Sequence, residues 1–263
     1  MGMTFSRILI AFCGLVLTAC SSLEAVAPTS EPLQATSVVL QTPTIDWFPP
    51  TTTQIPMSLT TQPPTPDWSP GIGELIASDD FSDASAWNTA VSESGSAIID
   101  RNQLTIAVKP GVYLHSLQQN LVLGDFYAEM VARPSLCRGA DSYGILVRAN
   151  AVSYYRFSLY CNGTASAERI SRLERHVLHE PVPSGDVPRG APGEVRIAVW
   201  AYGTELRFFL NDRYQFSIED MNLSSGTLGA FAFSSGDTPV TVRFTNLVVR
   251  TVEYIPPQNT PSP

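Results

Sequence analysis

The residues with most chemistry to offer lie in one stretch, Tyr143 to Cys161, YGILVRANAVSYYRFSLYC. Arg148 and Arg156 interrupt two runs in which Ile145, Val147, Tyr155, Phe157 and Leu159 are apolar at every second position. That alternation predicts two half-buried strands, with Asn150 to Ser153 as the turn between them. The register then decides what the arginines can do. With a two-residue turn, Arg148 lies opposite Tyr155 and shares the apolar face. With a three-residue or bulged turn, Arg148 shares a face with Tyr154, Arg156, Ser158 and Tyr160, while Ile145 and Val147 join Tyr155, Phe157 and Leu159. A slip of one residue flips every side chain. Burying an unpaired guanidinium is costly, so the second register is expected. It creates an exposed row, Arg148, Tyr154, Arg156 and Tyr160, as the candidate ligand-binding surface. Tyrosine rings stack on the apolar faces of sugars, and guanidinium forks hold hydroxyls or carboxylates. The plainer alternative is that both arginines pair with acids of neighbouring strands, such as Glu129.

Other chemistries have weaker support. Hydrolysis of a glycosidic bond with retention needs two carboxylates about 5–5.5 Å apart. Glu219 and Asp220 are adjacent, so they face opposite ways in a strand or sit in a turn. Asp79, Asp80 and Asp83 read as a turn cluster with Ca²⁺ ligation as the alternative, although no Asp-x-Asp-x-Asp-Gly loop is present. The three histidines are His115, His176 and His179, and a spacing of three puts the last two on opposite faces of a strand. Neither a Gly-x-Ser-x-Gly nucleophile elbow nor a phosphate-binding glycine loop occurs. No metal and no cofactor are therefore expected. A net charge of -8 gives no electrostatic case for nucleic acid.

The flanks read as an address and a tether. Arg7, the short apolar run Ile8 to Val16, and Leu17-Thr18-Ala19-Cys20 resemble the leader and lipobox of bacterial lipoproteins. The resemblance implies a signal peptide at 1–19, diacylation of Cys20, and a lipid anchor on the extracytoplasmic side of a bacterial cell envelope. Residues 20–73 are rich in Pro, Thr and Ser and predict a disordered tether. Within it, Pro43-Thr44-Ile45-Asp46-Trp47-Phe48-Pro49 returns as Pro64-Thr65-Pro66-Asp67-Trp68-Ser69-Pro70. The two tryptophans are docking points, or this is a duplicated spacer with incidental aromatics; the second is the simpler reading. Cys137 and Cys161 survive export into an oxidising compartment and are expected to form a disulfide, at the same end of a meander of three strands.

Residues 74–254 read as strand after strand with frequent turn signals and no long helical period, which predicts an all-β sandwich or barrel. The 255–263 tail is again Pro-rich and expected to be disordered. Asp79-Asp80-Phe81-Ser82-Asp83 with Trp87, the Gly144–Arg148 strand, Tyr155-Arg156-Phe157, the Val195–Asn211 hairpin, Gly226–Gly229 and Phe244–Leu247 stand in an informative order. In that order they resemble concanavalin A-like (laminin G-like) domains of bacterial surface proteins, over roughly residues 75–252. The resemblance implies a two-sheet antiparallel jelly roll. Such domains bind glycans, hydrolyse them, or hold proteins together, so the fold leaves function open. The Glu-x-Asp-x-(x)-Glu run of laminarinase-like relatives is missing. The expectation is a non-catalytic module binding carbohydrate or wall polymer; the alternatives are a glycoside hydrolase of the same fold and a structural or protein-interaction module.

Overall fold

The computed structural model describes residues 66–254. The chain forms a two-sheet antiparallel jelly-roll β-sandwich, as the strand pattern predicts. The strands are β1 (Ile72–Asp79), β2 (Ala90–Val91), β3 (Gly95–Asp100), β4 (Gln103–Val108) and β5 (Tyr113–Leu117). Then come β6 (Phe126–Leu136), β7 (Ser142–Ala149), β8 (Ser153–Tyr160), β9 (Thr164–Ser171) and β10 (Glu174–Pro183). The last are β11 (Val195–Tyr202), β12 (Glu205–Leu210), β13 (Arg213–Glu219), β14 (Thr227–Phe233) and β15 (Val240–Val252). The larger sheet runs β13-β12-β11-β6-β15-β4-β3-β2, with β1 paired to the second half of β15. The smaller sheet runs β10-β9-β8-β7-β14-β5.

The core lies between the sheets and is built by alternation. On β6, Phe126, Ala128, Met130 and Ala132 point inward and are buried, while the residues between them are partly exposed. From the smaller sheet, Ile145, Val147, Tyr155, Phe157 and Leu159 face them. Phe157 meets Phe208 of β12 across the gap, ring centroids 4.5 Å apart. Each large apolar side chain buried this way stabilises by roughly 1.5–3 kcal/mol.

Three expectations need correction. First, the folded part starts before Glu74. β1 begins at Ile72, and the chain ahead of it is already docked on the outer face of the larger sheet. The Trp68 ring stacks on Tyr214 at 4.3 Å, Arg207 Nη1 donates to the Trp68 carbonyl at 2.9 Å, and Trp200 Nε1 donates to the Pro70 carbonyl at 2.9 Å. Asp67 Oδ1 accepts from the Ser69 amide and shapes the turn that presents the ring. Trp68 is therefore a docking point on the chain's own sandwich rather than an incidental aromatic. β1 escapes detection because it pairs along one edge only and most of its side chains are exposed, so it lacks alternation. Trp47, Cys20, the leader, the rest of the tether up to residue 65 and the 255–263 tail lie outside the described residues.

Second, Cys137 and Cys161 are bonded, with Cα atoms 5.9 Å apart, but not across one meander. β6 belongs to the larger sheet and β7 and β8 to the smaller. The bridge thus fastens the end of β8 to the crossover by which the chain changes sheets.

Third, Arg148 does not lie in the exposed row, because a bulge at the end of β7 turns it inward.

Candidate functional site: the outer face of the six-stranded sheet

The β7–β8 hairpin takes the register that keeps its apolar row intact: Ile145 pairs with Phe157 and Val147 with Tyr155. Asn150 makes the turn. Its amide donates to the Ser153 carbonyl at 2.9 Å, and its Oδ1 accepts from the amides of Val152 and Ser153. The regular ladder stops at Val147. Against β14, Leu146 pairs with Gly229 and Ala149 with Thr227, three residues of β7 against two of β14. This bulge puts Arg148 at φ 48°, in the left-handed region, and turns its side chain inward beside Tyr155.

Arg148 is 0% exposed, yet its guanidinium is fully employed. Nε and Nη2 donate to the Gly124 carbonyl at 3.2 and 3.0 Å. Nη1 donates to the carbonyls of Gly203 and Leu223 at 2.8 and 3.1 Å, and Nη2 to Asp125 Oδ1 at 3.4 Å. Burial pulls its ionisation below the ordinary guanidinium value, and Asp125 opposes that. Three loops at one end of the sandwich are held by this one side chain. The cost of burial that argued for an exposed Arg148 is met by internal acceptors, an outcome that no local pattern announces.

The other three row residues stay together on the outer face of β8: Tyr154, Arg156 and Tyr160, with Ser158 between the last two. Arg156 is mostly covered, its side chain 18% exposed. Its guanidinium carbon sits 5.2 Å from the Tyr113 ring centroid and 5.4 Å from that of Phe231. Its Nε donates to Glu168 Oε1 at 2.6 Å, from the position directly opposite on β9. Burial lowers the ionisation of Arg156, but the Glu168 carboxylate and its surroundings outweigh this and hold it above the ordinary value. The acid paired to Arg156 is Glu168 rather than Glu129, which accepts from the Tyr127 hydroxyl.

Glu168 is 1% exposed and shared: its second oxygen accepts from Arg175 of β10. Arg156, Glu168, Arg175, Ser142, Ser158 and Tyr160 line a cleft of ≈ 420 Å³, with Phe233 and Ser235 on its far wall. Tyr160 shares a 3.2 Å hydrogen bond with Ser166. Tyr154 stands at the other end of the row, 5.9 Å from the His115 ring, which in turn lies 5.6 Å from Tyr113. Burial lowers the His115 ionisation, and burial, with Tyr154 adding to it, pushes the Tyr113 phenol well above the ordinary range. A larger hollow of ≈ 570 Å³ at the edge of this sheet, lined by Leu117, Leu121, Val122 and Ala149 among others, carries no charged side chain.

Reasoning from sequence missed Glu168, Arg175, Tyr113, His115 and Phe231 as members of this surface. One signal for Glu168 was present. Asn162-Gly163 is a strong tight-turn pair, and Gly163 adopts φ 91°. The loop is three residues, Cys161 to Gly163, so Tyr160 pairs with Thr164 and Glu168 stands opposite Arg156; a two-residue Asn-Gly turn would have put Arg169 there. The β5 and β14 residues carry no such signal, because their neighbours are distant in sequence.

The remaining candidates are accounted for by local bonds. Asp79 accepts from the Phe81 amide and the Trp87 indole, Asp80 from the Ser82 amide and Asn102, and Asp83 from Ser85. These are turn and capping bonds. His179 stacks on Phe216 at 3.8 Å, and His176 lies near Glu174. Asp220, one of the two adjacent acids, accepts from the Tyr155 hydroxyl at 2.6 Å and from Arg169.

No protein-family model matches this chain, and no curated protein resembles it in sequence. Solved structures resemble its fold. A Bacillus subtilis protein of unknown function with a galectin-like fold superposes at TM-score 0.53 and 13% identity, over 70% of this chain and 99% of its own. The Bacillus licheniformis β-glucanase does so at 0.52 and 8%, over 69% and 99%. A structure described with the endo-acting O-glycanases of the human gut microbiota that initiate mucin breakdown follows at 0.51 and 10%, over 68% and 100%. At these identities the likeness is one of fold, the galectin-like or concanavalin A-like jelly roll.

Proposed function

We propose that this chain displays a carbohydrate-binding sandwich on the bacterial cell envelope, anchored through an acylated Cys20 and using the outer face of the six-stranded sheet. The observation that carries this reading is the alignment along β8 of Tyr154, Arg156, Ser158 and Tyr160, opening into the ≈ 420 Å³ cleft. Aromatic faces, hydroxyls and a guanidinium fork are the groups that recognise sugars, and here they stand on rigid strands. The glucanase and the O-glycanases of like fold act on glycans by their names, which favours the same class of ligand. Binding is preferred to hydrolysis because the cleft lining holds one carboxylate, Glu168, already engaged by two arginines, where glycosidases commonly use two.

The test is affinity electrophoresis of the full chain in gels cast with a panel of soluble polysaccharides. At least one polymer should retard the protein, and Tyr160→Ala and Tyr154→Ala should abolish the retardation while leaving the melting curve in place. Retardation unchanged in both variants would move the site elsewhere. Anchoring is tested separately: mass spectrometry of the mature protein should find an acylated Cys20 at the N-terminus, and an N-terminus upstream of it would end that part of the proposal.

A further inference from the structure

We infer that the cleft at Arg156, Glu168 and Arg175 takes an acidic saccharide, a residue carrying a carboxylate or sulfate, within a polysaccharide. This rests on the reading of the face as a carbohydrate-binding surface. The argument is one of charge and unused donors. Among the described residues, Arg156, Arg175 and Glu168 are the only charged ones that line the cleft, two cations against one anion. One arginine would neutralise Glu168; the second leaves an excess positive charge in a chain whose net charge is -8. Glu168 spends one oxygen on each arginine, so neither guanidinium is saturated by it. Arg156 uses Nε and Nη2 on Oε1, and Arg175 uses Nε on Oε2. Among the described residues no acceptor is bonded to Arg156 Nη1 or to Arg175 Nη1 and Nη2. Glu180, which also acts on Arg175 by its charge, is exposed and makes no bond to it.

The arrangement is also fixed in place. Glu168 is buried and holds both forks, and the Tyr113 and Phe231 rings flank Arg156. Arg175 keeps half of its side chain, 53%, in solvent, so its free edge is open to a ligand. Planar forks with parallel N–H groups match carboxylate and sulfate oxygens in pairs. Ser142, Ser158, Tyr160 and Ser235 supply hydroxyls around them for the ring substituents of a sugar. A neutral sugar would use the hydroxyls but leave the excess charge unanswered.

The full chain is titrated against polygalacturonate, a sulfated dextran, and the neutral polymers laminarin and dextran, by calorimetry at low salt. The acidic polymers should bind and the neutral ones should bind more weakly or not at all. Arg175→Glu, which reverses the charge of a half-exposed side chain, should weaken acidic binding about tenfold to a hundredfold. Circular dichroism on the same variant checks that it folds, and Arg175→Gln is the milder second variant. Binding should also fall steeply from about 0.01 M to about 1 M salt, as the Debye length shrinks from ~30 to ~3 Å. Preference for polygalacturonate over sulfated dextran assigns a carboxylate, and the reverse assigns a sulfate. If a neutral polymer binds best and Tyr160→Ala abolishes it while Arg175→Glu does not, the acidic inference fails and the carbohydrate surface stands. If no polymer binds, both fall. Because the chain as a whole repels polyanions, acidic binding that survives Arg175→Glu also overturns this site.

Discussion

Replacing Arg148 should damage the fold far more than replacing any other arginine of the hairpin. The side chain is 0% exposed and donates five hydrogen bonds, two to Gly124, one each to Gly203 and Leu223, and one to Asp125. Arg148→Met keeps much of the aliphatic stem but removes every donor. Three carbonyls and one carboxylate lose a partner, and each orphaned acceptor costs roughly 1–3 kcal/mol. Gly124 and Gly203 lie in exposed turns, so water rescues part of this, and the lower end of the range applies to them. Asp125 keeps the Gly203 amide at 2.8 Å. Summed with those discounts, the net loss is about 3–5 kcal/mol; Asp125, its side chain 42% exposed, is left half in solvent rather than buried unpaired. That is a large share of the 5–15 kcal/mol typical of a whole domain. For a domain of this size it corresponds to a fall in melting temperature of about 6–20 °C. Arg148→Lys should fall between the two, since an ammonium keeps the charge but cannot fork to three separated carbonyls. Thermal and urea unfolding followed by circular dichroism measure both variants. An Arg148→Met melting point within about 2 °C of the parent would refute the account, since it would mean the three loops hold themselves.

Four further outcomes are expected. Trp68→Ala should lower stability by on the order of 1 kcal/mol, because the ring's stack on Tyr214 is lost while Trp68 was already 42% exposed; removing residues 21–60 should leave the melting point unchanged, and the two together separate the docked end from the rest of the tether. Reduction of the Cys137–Cys161 bridge, 24 residues apart in sequence, should cost roughly 3 kcal/mol in the chain-entropy model, read as a shift in urea midpoint with and without reductant. Acid should destabilise the sandwich through Asp220. Burial pushes its carboxyl up, but the Tyr155 hydroxyl, Asn222 and Arg169 outweigh this and hold it below its ordinary 3.8. The unfolded chain then takes up the proton first, so this contribution is full above 3.8 and is lost as pH falls through the lower folded value. Asp220→Asn should flatten the acid limb of a stability-against-pH curve, and an unchanged limb would remove Asp220 from it.

What the chain determines locally could be read from it directly. The alternation of Ile145 and Val147 with Tyr155, Phe157 and Leu159 set the inner face of β7 and β8, because a row of five apolar side chains tolerates one register only. The turn residues Asn150, Asn211 and Asp212 punctuate the strands where backbone with positive φ, or an amide acceptor, is required. The pairing of Cys137 with Cys161 was legible because they are the two cysteines within the strand-rich stretch 74–254. Tertiary structure alone decided the rest, since it turned on residues far apart in sequence. Arg148 faces inward because a bulge against β14, some eighty positions later, reverses its side, and because the loops at 124, 203 and 223 bring carbonyls to one point. Trp68 docks because Tyr214, Arg207 and Trp200 of the larger sheet form its seat. Glu168 and Arg175 meet Arg156 because β9 and β10 extend the same sheet, whereas Tyr113 and Phe231 reach it from β5 and β14 on the other side. A strand's own period tells which face a residue takes, but only sheet order tells what stands beside it.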